Sequence, residues 1–473
     1  MRGWPPCRRP RLARLLFTIL LDLLLLTPAV AEPEQLPALV AEIRAEAQAI
    51  SGGASDYDAL LASIGEARLV MLGEATHGSA EFYEERARIT QRLISEKGFS
   101  GLVLEAGWAP AMRVDAFVRG RLPGPGTDQA LRAFRHFPRW VWRNAEFAAF
   151  LERLRTLNAG STIDPPPISV YGMDLYGVPE AIDEVVGYLR ASDPQAAARA
   201  KRAYRCFAPY LRLDIDPQLY GRDVARGSMP SCARKVRAQV AHLARRQRLS
   251  GGDPAAFAAR MSARSIAGAE AYYRTLYTAG ALVSWNQRER FLAGSLQILL
   301  ERHPKLVVWA HNTHQGDARA TDQARVGELS IGQLLRQALG WEAVYLVGMT
   351  TFSGSVRAAT GWATPDREQE LLPAIAGSWS AVLHEVGLPA FLLVFRDHAG
   401  LSAPLDRSLP DRGVGVTYLP AAERENHYTD SSPARRFDAL IHIDRTRAVL
   451  PLRRGRQFTA KPGGRGPGVA GSG

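Results

Sequence analysis

The sequence is poor in cysteine and has no long uninterrupted apolar run. Only 3 cysteines occur in 473 residues, which excludes a disulfide scaffold. Cys7 belongs to the N-terminal segment, so Cys206 and Cys232 remain as a single candidate pair. No serine stands in a Gly-x-Ser-x-Gly elbow, which argues against a nucleophilic-serine hydrolase. A P-loop is also missing. The one Gly-x-Gly-x-x-Gly, at Gly466, Gly468 and Gly471, lies in a Gly/Pro-rich tail with no strand before it, so nucleotide binding has no support. The helical His-Glu-x-x-His zinc signal is absent as well. The apolar run Leu15 to Leu26 is broken by Asp22 and falls short of the roughly 20 residues that a spanning helix needs.

What is present is the composition of a globular protein, 46% hydrophobic and 22% charged, with length for one large or two moderate domains. Arg2, Arg8, Arg9, Arg11 and Arg14 precede the apolar run, and Ala29 to Ala31 supplies small residues for cleavage. Residues 1–31 therefore read as a secretory signal cut after Ala31, with an uncleaved anchor as the alternative. Cleavage implies a periplasmic or secreted protein with no stable membrane anchor. Five arginines and one aspartate leave with that segment, so the formal charge of +12 falls by four. Residues 452–473 read as a disordered basic Gly/Pro-rich tail. Between Arg199 and Arg264 there are 15 Lys/Arg against four Asp. In an Arg- and Ala-rich chain this is read as solvated helix surface, with no nucleic-acid partner.

Apolar runs at Leu69–Leu72, Gly101–Glu105, Ile168–Asp174, Leu306–Trp309, Ala343–Val347 and Ala390–Phe395 read as strands. A hairpin is expected within Thr350–Arg357, and helices over Leu36–Ile50, Glu81–Lys97 and Met112–Val118. Strands alternating with helices predict an α/β fold with a mainly parallel or mixed central sheet flanked by helices. Residues from about 182 to 303 show helical patterning only and read as a helical insertion within a domain spanning 32–451.

Four of these strands end on, or run into, an ionisable group: Glu74, Glu105, Asp174 and His311. Parallel strands place such ends along one edge, where ligands of open α/β sheets bind. Glu74 and His77 share a loop between Gly73 and Gly78, the minimum equipment for proton transfer near neutral pH. The competing role is a Glu that caps the next helix and a His packed beneath the loop. Arg86, nine residues past His77, is placed to hold carboxylates or polarise a carbonyl oxygen. His311 and His314, with Glu74 and His77, also admit a zinc site. A non-catalytic cleft for an apolar ligand or haem is a further alternative. Trp140 and Trp142 are core aromatics or the lining of such a cleft.

Gly73-Glu-Ala-Thr-His-Gly78 with Glu81, Phe82 and Arg86, then Val103-Leu-Glu-Ala-Gly-Trp108, Trp140-Val-Trp142, Tyr171-Gly-Met-Asp174, Trp309-Ala-His-Asn-Thr-His314 and His384-Glu-Val-Gly387, in this order, resemble the erythromycin esterase family. The resemblance implies hydrolysis of a macrolide's lactone, or another bulky ester, by water that a histidine activates, here His77. It implies site roles for Glu74, Arg86, Glu105, His311 and His314 and no required cofactor or metal; Trp140, Trp142, Asp174 and Arg288 are the candidate contacts to a small-molecule substrate. One departure stands out. Arg288-Glu-Arg-Phe-Leu-Ala-Gly-Ser295 carries Glu289 where the family usually has Asp and Ser295 where it has Asn, which bears on substrate identity more than on reaction type.

Overall fold

A computed structural model describes residues 35–452 apart from 123–125, 163–167 and 213–214. Residues 1–31, read above as a secretory signal, and residues 453–473 lie outside the described residues. The strands are β1 Gln48–Ala49, β2 Leu69–Leu72, β3 Gly101–Gly107, β4 Ser169–Asp174, β5 Leu306–Trp309, β6 Val344–Ala359, β7 Asp366–Leu371, β8 Ala390–Val394, β9 Leu409–Arg412, β10 Tyr428–Ser431 and β11 Ala439–Thr446. The main sheet runs β1-β8-β11-β6-β2-β5-β3-β4, with β7 on β6, while β9 and β10 pair separately. Pairing is parallel from β11 through β6, β2, β5 and β3 to β4. It is antiparallel at β1 with β8, β8 with β11 and β6 with β7. The fold is thus α/β with a mixed sheet whose centre is parallel.

The apolar strands cover both faces because successive side chains point to opposite sides. Val70 and Leu72 enter one core cluster, with Phe82, Ile89 and Leu93 of the helix Ala80–Lys97. Leu69 and Met71 enter the other, with Leu292, Leu296 and Leu299 of the helix Ala281–Leu300. A charged side chain on either face of β2 or β5 would be buried without a partner, which is why Leu69–Leu72 and Leu306–Trp309 contain none.

Between β4 and β5 the described residues form helices alone, among them Val178–Ser192, Ala233–Leu249, Pro254–Thr278 and Ala281–Leu300. They close on a third apolar cluster that includes Val185, Leu189, Phe207, Tyr220 and Ile266. The long helix Pro254–Thr278 starts where Asp253 accepts from the backbone N–H groups of Ala255 and Ala256, with proline in its first turn. Cys206 and Cys232 are disulfide-bonded with Cα atoms 6.3 Å apart, tying two segments of this region. No helix among the described residues is long and apolar enough to cross a membrane.

Three expectations are corrected. The first helix ends at Glu46, and Gln48–Ala49 pair instead with Leu392 and Phe391 of β8. The segment read as a strand followed by a hairpin is a single strand, β6, whose turn into β7 falls after Ala359. Strand β11, which the sequence pattern did not show, enters the sheet between β8 and β6.

Candidate active site

Parallel registers bring the strand ends to one rim. Leu72 lies beside Trp309, and Trp309 beside Leu104, so the residues that follow β2 and β5 meet the end of β3. The loops after β2 and β5 are laced together, with the Asn312 N–H donating to the Glu74 carbonyl at 2.9 Å. Gly73 permits this approach, since a Cβ there would stand 2.1 Å from Asn312 Oδ1.

Glu74 accepts from His77 Nδ1 at 2.8 Å through Oε1 and pairs with Arg86 Nη2 at 2.6 Å through Oε2. It does not cap the following helix: its two oxygens are taken by His77 and Arg86, and the N-cap is Ser79, whose side chain makes no capping bond. Arg86 is fully buried, with its guanidinium 4.6 Å from the Tyr83 ring centroid and 4.7 Å from that of Trp309. An arginine so enclosed cannot reach a substrate carbonyl; it acts on Glu74. The carboxylate is thereby fixed and turned toward Nδ1. His77 is left with Nε2, which forms no hydrogen bond among the described residues, on a side chain that lines a cavity.

The second cluster is wired differently. Glu105 Oε1 meets His314 Nε2 at 3.0 Å and Arg288 Nη2 at 3.1 Å, while Oε2 accepts from the His311 N–H at 3.0 Å. His314 Nδ1 donates to Glu289 Oε1 at 2.6 Å, and Trp285 stacks on the ring at 4.6 Å. Burial alone would lower the His314 pKa, but Glu105 and Glu289 together raise it to about 10, so the ring is an imidazolium at neutral pH. Burial likewise works against the Glu105 carboxylate, yet His314, His77 and Arg288 hold it well below the usual carboxylate range. Arg288 clamps Asp174 from Nε at 3.1 Å and Nη2 at 2.5 Å, a two-point pairing that a planar guanidinium favours. Ser295 faces away from this cluster, bonding to the Met173 carbonyl and receiving Arg264, so its effect reaches the rim only through the backbone before Asp174.

His311 sits 4.9 Å from His77, ring centroid to centroid. Its Nε2 lies 3.1 Å from the Ala75 carbonyl, and its Nδ1 accepts from the Thr313 N–H at 3.3 Å with Thr313 Oγ1 at 2.9 Å. Burial, with His77 beside it, keeps its pKa well below the ordinary value, so it is a neutral, fully bonded ring. Both nitrogens of His311 and of His314 are therefore engaged. No group of three His, Cys, Asp or Glu among the described residues is arranged to hold a metal ion.

The cavity has a volume of about 370 Å³. Of the residues singled out from sequence, His77, Glu105, Trp142, Asp174, Arg288, His311 and His314 line it. Glu74 and Arg86 stand behind His77. Trp140 does not line the cavity; it packs in the core. Phe137, from the aromatic-dense stretch Phe137–Trp142, lines it too, whereas sequence reasoning missed the rest of the wall, notably Phe134, Tyr176, Trp285 and Trp362.

A family model described as erythromycin esterase matches residues 94–446. The loop bearing Glu74 and His77 lies upstream of that stretch. Three solved structures resemble the fold. A succinoglycan biosynthesis protein is 21% identical with a TM-score of 0.70, over 89% of this chain and 100% of the other. A protein from Bacillus cereus is 20% identical with a TM-score of 0.74, over 88% and 99%. An erythromycin esterase mutant, EreC, in an open conformation is 15% identical with a TM-score of 0.60, over 82% and 93%. At these identities the likeness speaks for the fold.

Proposed function

The chain belongs to the erythromycin esterase family, a membership that implies a hydrolase acting on esters, and we propose that it opens a macrolactone or another bulky ester with water activated by His77. One observation carries this reading: among the three histidines of the rim, only His77 has one nitrogen anchored by a carboxylate and the other open to the cavity. The Nδ1–H tautomer, held by Glu74, leaves the Nε2 lone pair for water.

His77 Nε2 takes a proton from water as the oxygen attacks the ester carbonyl carbon. The carbonyl oxygen, now anionic, faces the cationic pair Arg288 and His314, which line the cavity, and such preformed charge is worth most where water is excluded. Collapse breaks the bond to the alkoxy oxygen, and the proton on His77 passes to that leaving group. Acid and alcohol result; from a lactone they remain one molecule. Glu105 orients the cations, and Asp174 fixes Arg288. Trp142 and the aromatic wall hold the apolar body of the substrate. No metal enters this scheme: His77 Nε2 is the one uncommitted imidazole nitrogen of the rim among the described residues, those of His311 and His314 being engaged by carbonyl, hydroxyl, backbone N–H or carboxylate partners. The substrate is a small molecule, met in the periplasm or outside the cell, and cell fractionation tests that location.

Incubation with a panel of macrolides and bulky synthetic esters, followed by mass spectrometry, should show the gain of one water on at least one compound. The gain should persist after exhaustive chelation. If no compound in the panel gains water, the esterase reading is wrong; if chelation abolishes the gain, the metal-free scheme is.

A further inference from the structure

The residues lining the cavity include two with a buried polar atom that has no hydrogen-bond partner among the described residues. Glu180, in the first turn of the helix Val178–Ser192, accepts from Arg135 Nε at 2.7 Å through Oε1. Its side chain is only 10% exposed, yet Oε2 has no hydrogen bond among the described residues. Beside it, His136 Nε2 lies 3.8 Å from Glu180 Oε1, too far to bond, and is also buried without a partner. Buried polar atoms are otherwise nearly always satisfied, so an acceptor and a ring nitrogen left open side by side call for an explanation.

Both residues line the main cavity. His136 also lines a second cavity of about 150 Å³, which shares Phe137, Tyr176 and Trp362 with the first. His136 therefore stands where the two spaces adjoin, with Glu180 beside it in the wall of the main one. Burial holds His136 below its ordinary pKa, with Arg135 adding to that effect against the pull of Glu180. The imidazole is neutral near pH 7, and Arg135 offsets the carboxylate. A site with an anionic acceptor, a neutral ring N–H and little net charge suits a group that both donates and accepts.

We propose that Glu180 and His136 form a subsite for a hydroxyl group on the ligand, which donates to Glu180 Oε2 and accepts from His136 in its Nε2–H tautomer. The inference rests on the reading of the cavity as a site for bulky esters, and it makes the substrate a hydroxylated one.

Binding of erythromycin and of its separate mono-O-methyl ethers, followed by quenching of tryptophan emission, tests this. At one hydroxyl position, methylation should weaken binding to the wild-type protein at least tenfold. In Glu180→Ala the same methylation should cost less than twofold. His136→Phe, which keeps an aromatic ring in place, should shrink the discrimination at that position at least threefold. Arg135→Ala removes the ion pair but not the open atoms and should retain it, which separates ligand recognition from a structural ion pair. Discrimination at no position, or discrimination that survives in Glu180→Ala, overturns the subsite. If neither the lactone nor its ethers bind, the bulky-ester reading falls with it. Discrimination without hydrolysis supports the subsite and sinks the esterase reading alone.

Discussion

The loops after β2 and β5 each present an imidazole held by carboxylate, from the same loop in the first case and from β3 and the helix Ala281–Leu300 in the second, and put it to opposite uses. In the first, His77 bonds to Glu74 through Nδ1 and leaves Nε2 facing the cavity. In the second, His314 bonds to Glu289 through Nδ1 and meets Glu105 through Nε2. One carboxylate orients a base, whereas two carboxylates make a permanent cation. The partner of the carboxylate matters as much: Glu74 is already paired with Arg86, so the carboxylate that orients His77 is itself held in place. The difference between a proton shuttle and a fixed charge is thus set by the count of acids around the ring, not by the ring.

The sharpest way to break this comparison is to exchange the roles. His77→Asn removes the only open imidazole nitrogen of the rim, and kcat should fall roughly 10²- to 10⁴-fold with melting unchanged. A variant that keeps most of its ester hydrolysis would remove His77 from the role of base. His314→Gln should act first on stability. It leaves Glu105 and Glu289 buried without the cation between them, a change that costs about 3–5 kcal/mol when one partner of a buried pair is lost, seen as a lower midpoint in chemical denaturation. The same ring carries a pH signature. Its folded pKa, about 10, lies above the ordinary histidine value near 6.5. The stabilisation is therefore complete below about pH 6.5, declines as pH rises, and is gone above about 10. Denaturation midpoints measured from pH 6 to 10.5 should drop in the wild type by an amount on the order of a few kcal/mol, and less steeply in His314→Gln. Equal slopes would mean that His314 is not the buried cation.

Much of this rim was readable from the chain because strand ends and ionisable residues coincide in the sequence. β2 and β5 fall on the apolar runs Leu69–Leu72 and Leu306–Trp309, and parallel pairing then places Glu74, Glu105, Asp174 and His311 together without further information. What was not readable has physical causes. β11 carries His442, Asp444 and Arg445, which break the apolar pattern of a central strand; the fold absorbs His442 by a bond to Thr350 Oγ1 at 2.9 Å. The long β6 looked like two pieces because Gly354 resembles a turn. In the structure that glycine has a φ of +133° and lets Thr446 of β11 approach, its carbonyl oxygen 1.9 Å from where a Cβ would be. The cavity wall was hidden for a third reason: Phe134, Tyr176 and Trp362 come from loops, where no periodicity marks a side chain as inward. Arg86 was expected to hold carboxylates or polarise a carbonyl oxygen, and only its burial against Glu74 shows which of the two the fold permits.

The smallest effect tests whether the third histidine belongs with the first loop or the second. His311 touches the His77 ring at 4.9 Å yet is bonded at both nitrogens, so its wiring resembles that of His314 while its place is beside His77. If its task is to hold the His77 ring by contact, loosening it should degrade catalysis slightly and leave the pH dependence alone. Thr313→Val deletes the Oγ1 contact at 2.9 Å but retains the backbone N–H at 3.3 Å. Loss of one such bond is worth about 0.5–1.5 kcal/mol, so kcat should fall roughly two- to tenfold with the shape of the pH–rate curve unchanged. A displaced acid limb would instead show His311 trading protons in the reaction, and the division between one open imidazole and two closed ones would have to be redrawn. An unchanged kcat would show that Thr313 contributes nothing to the placement of His77, leaving the bond to Glu74 as its sole tether.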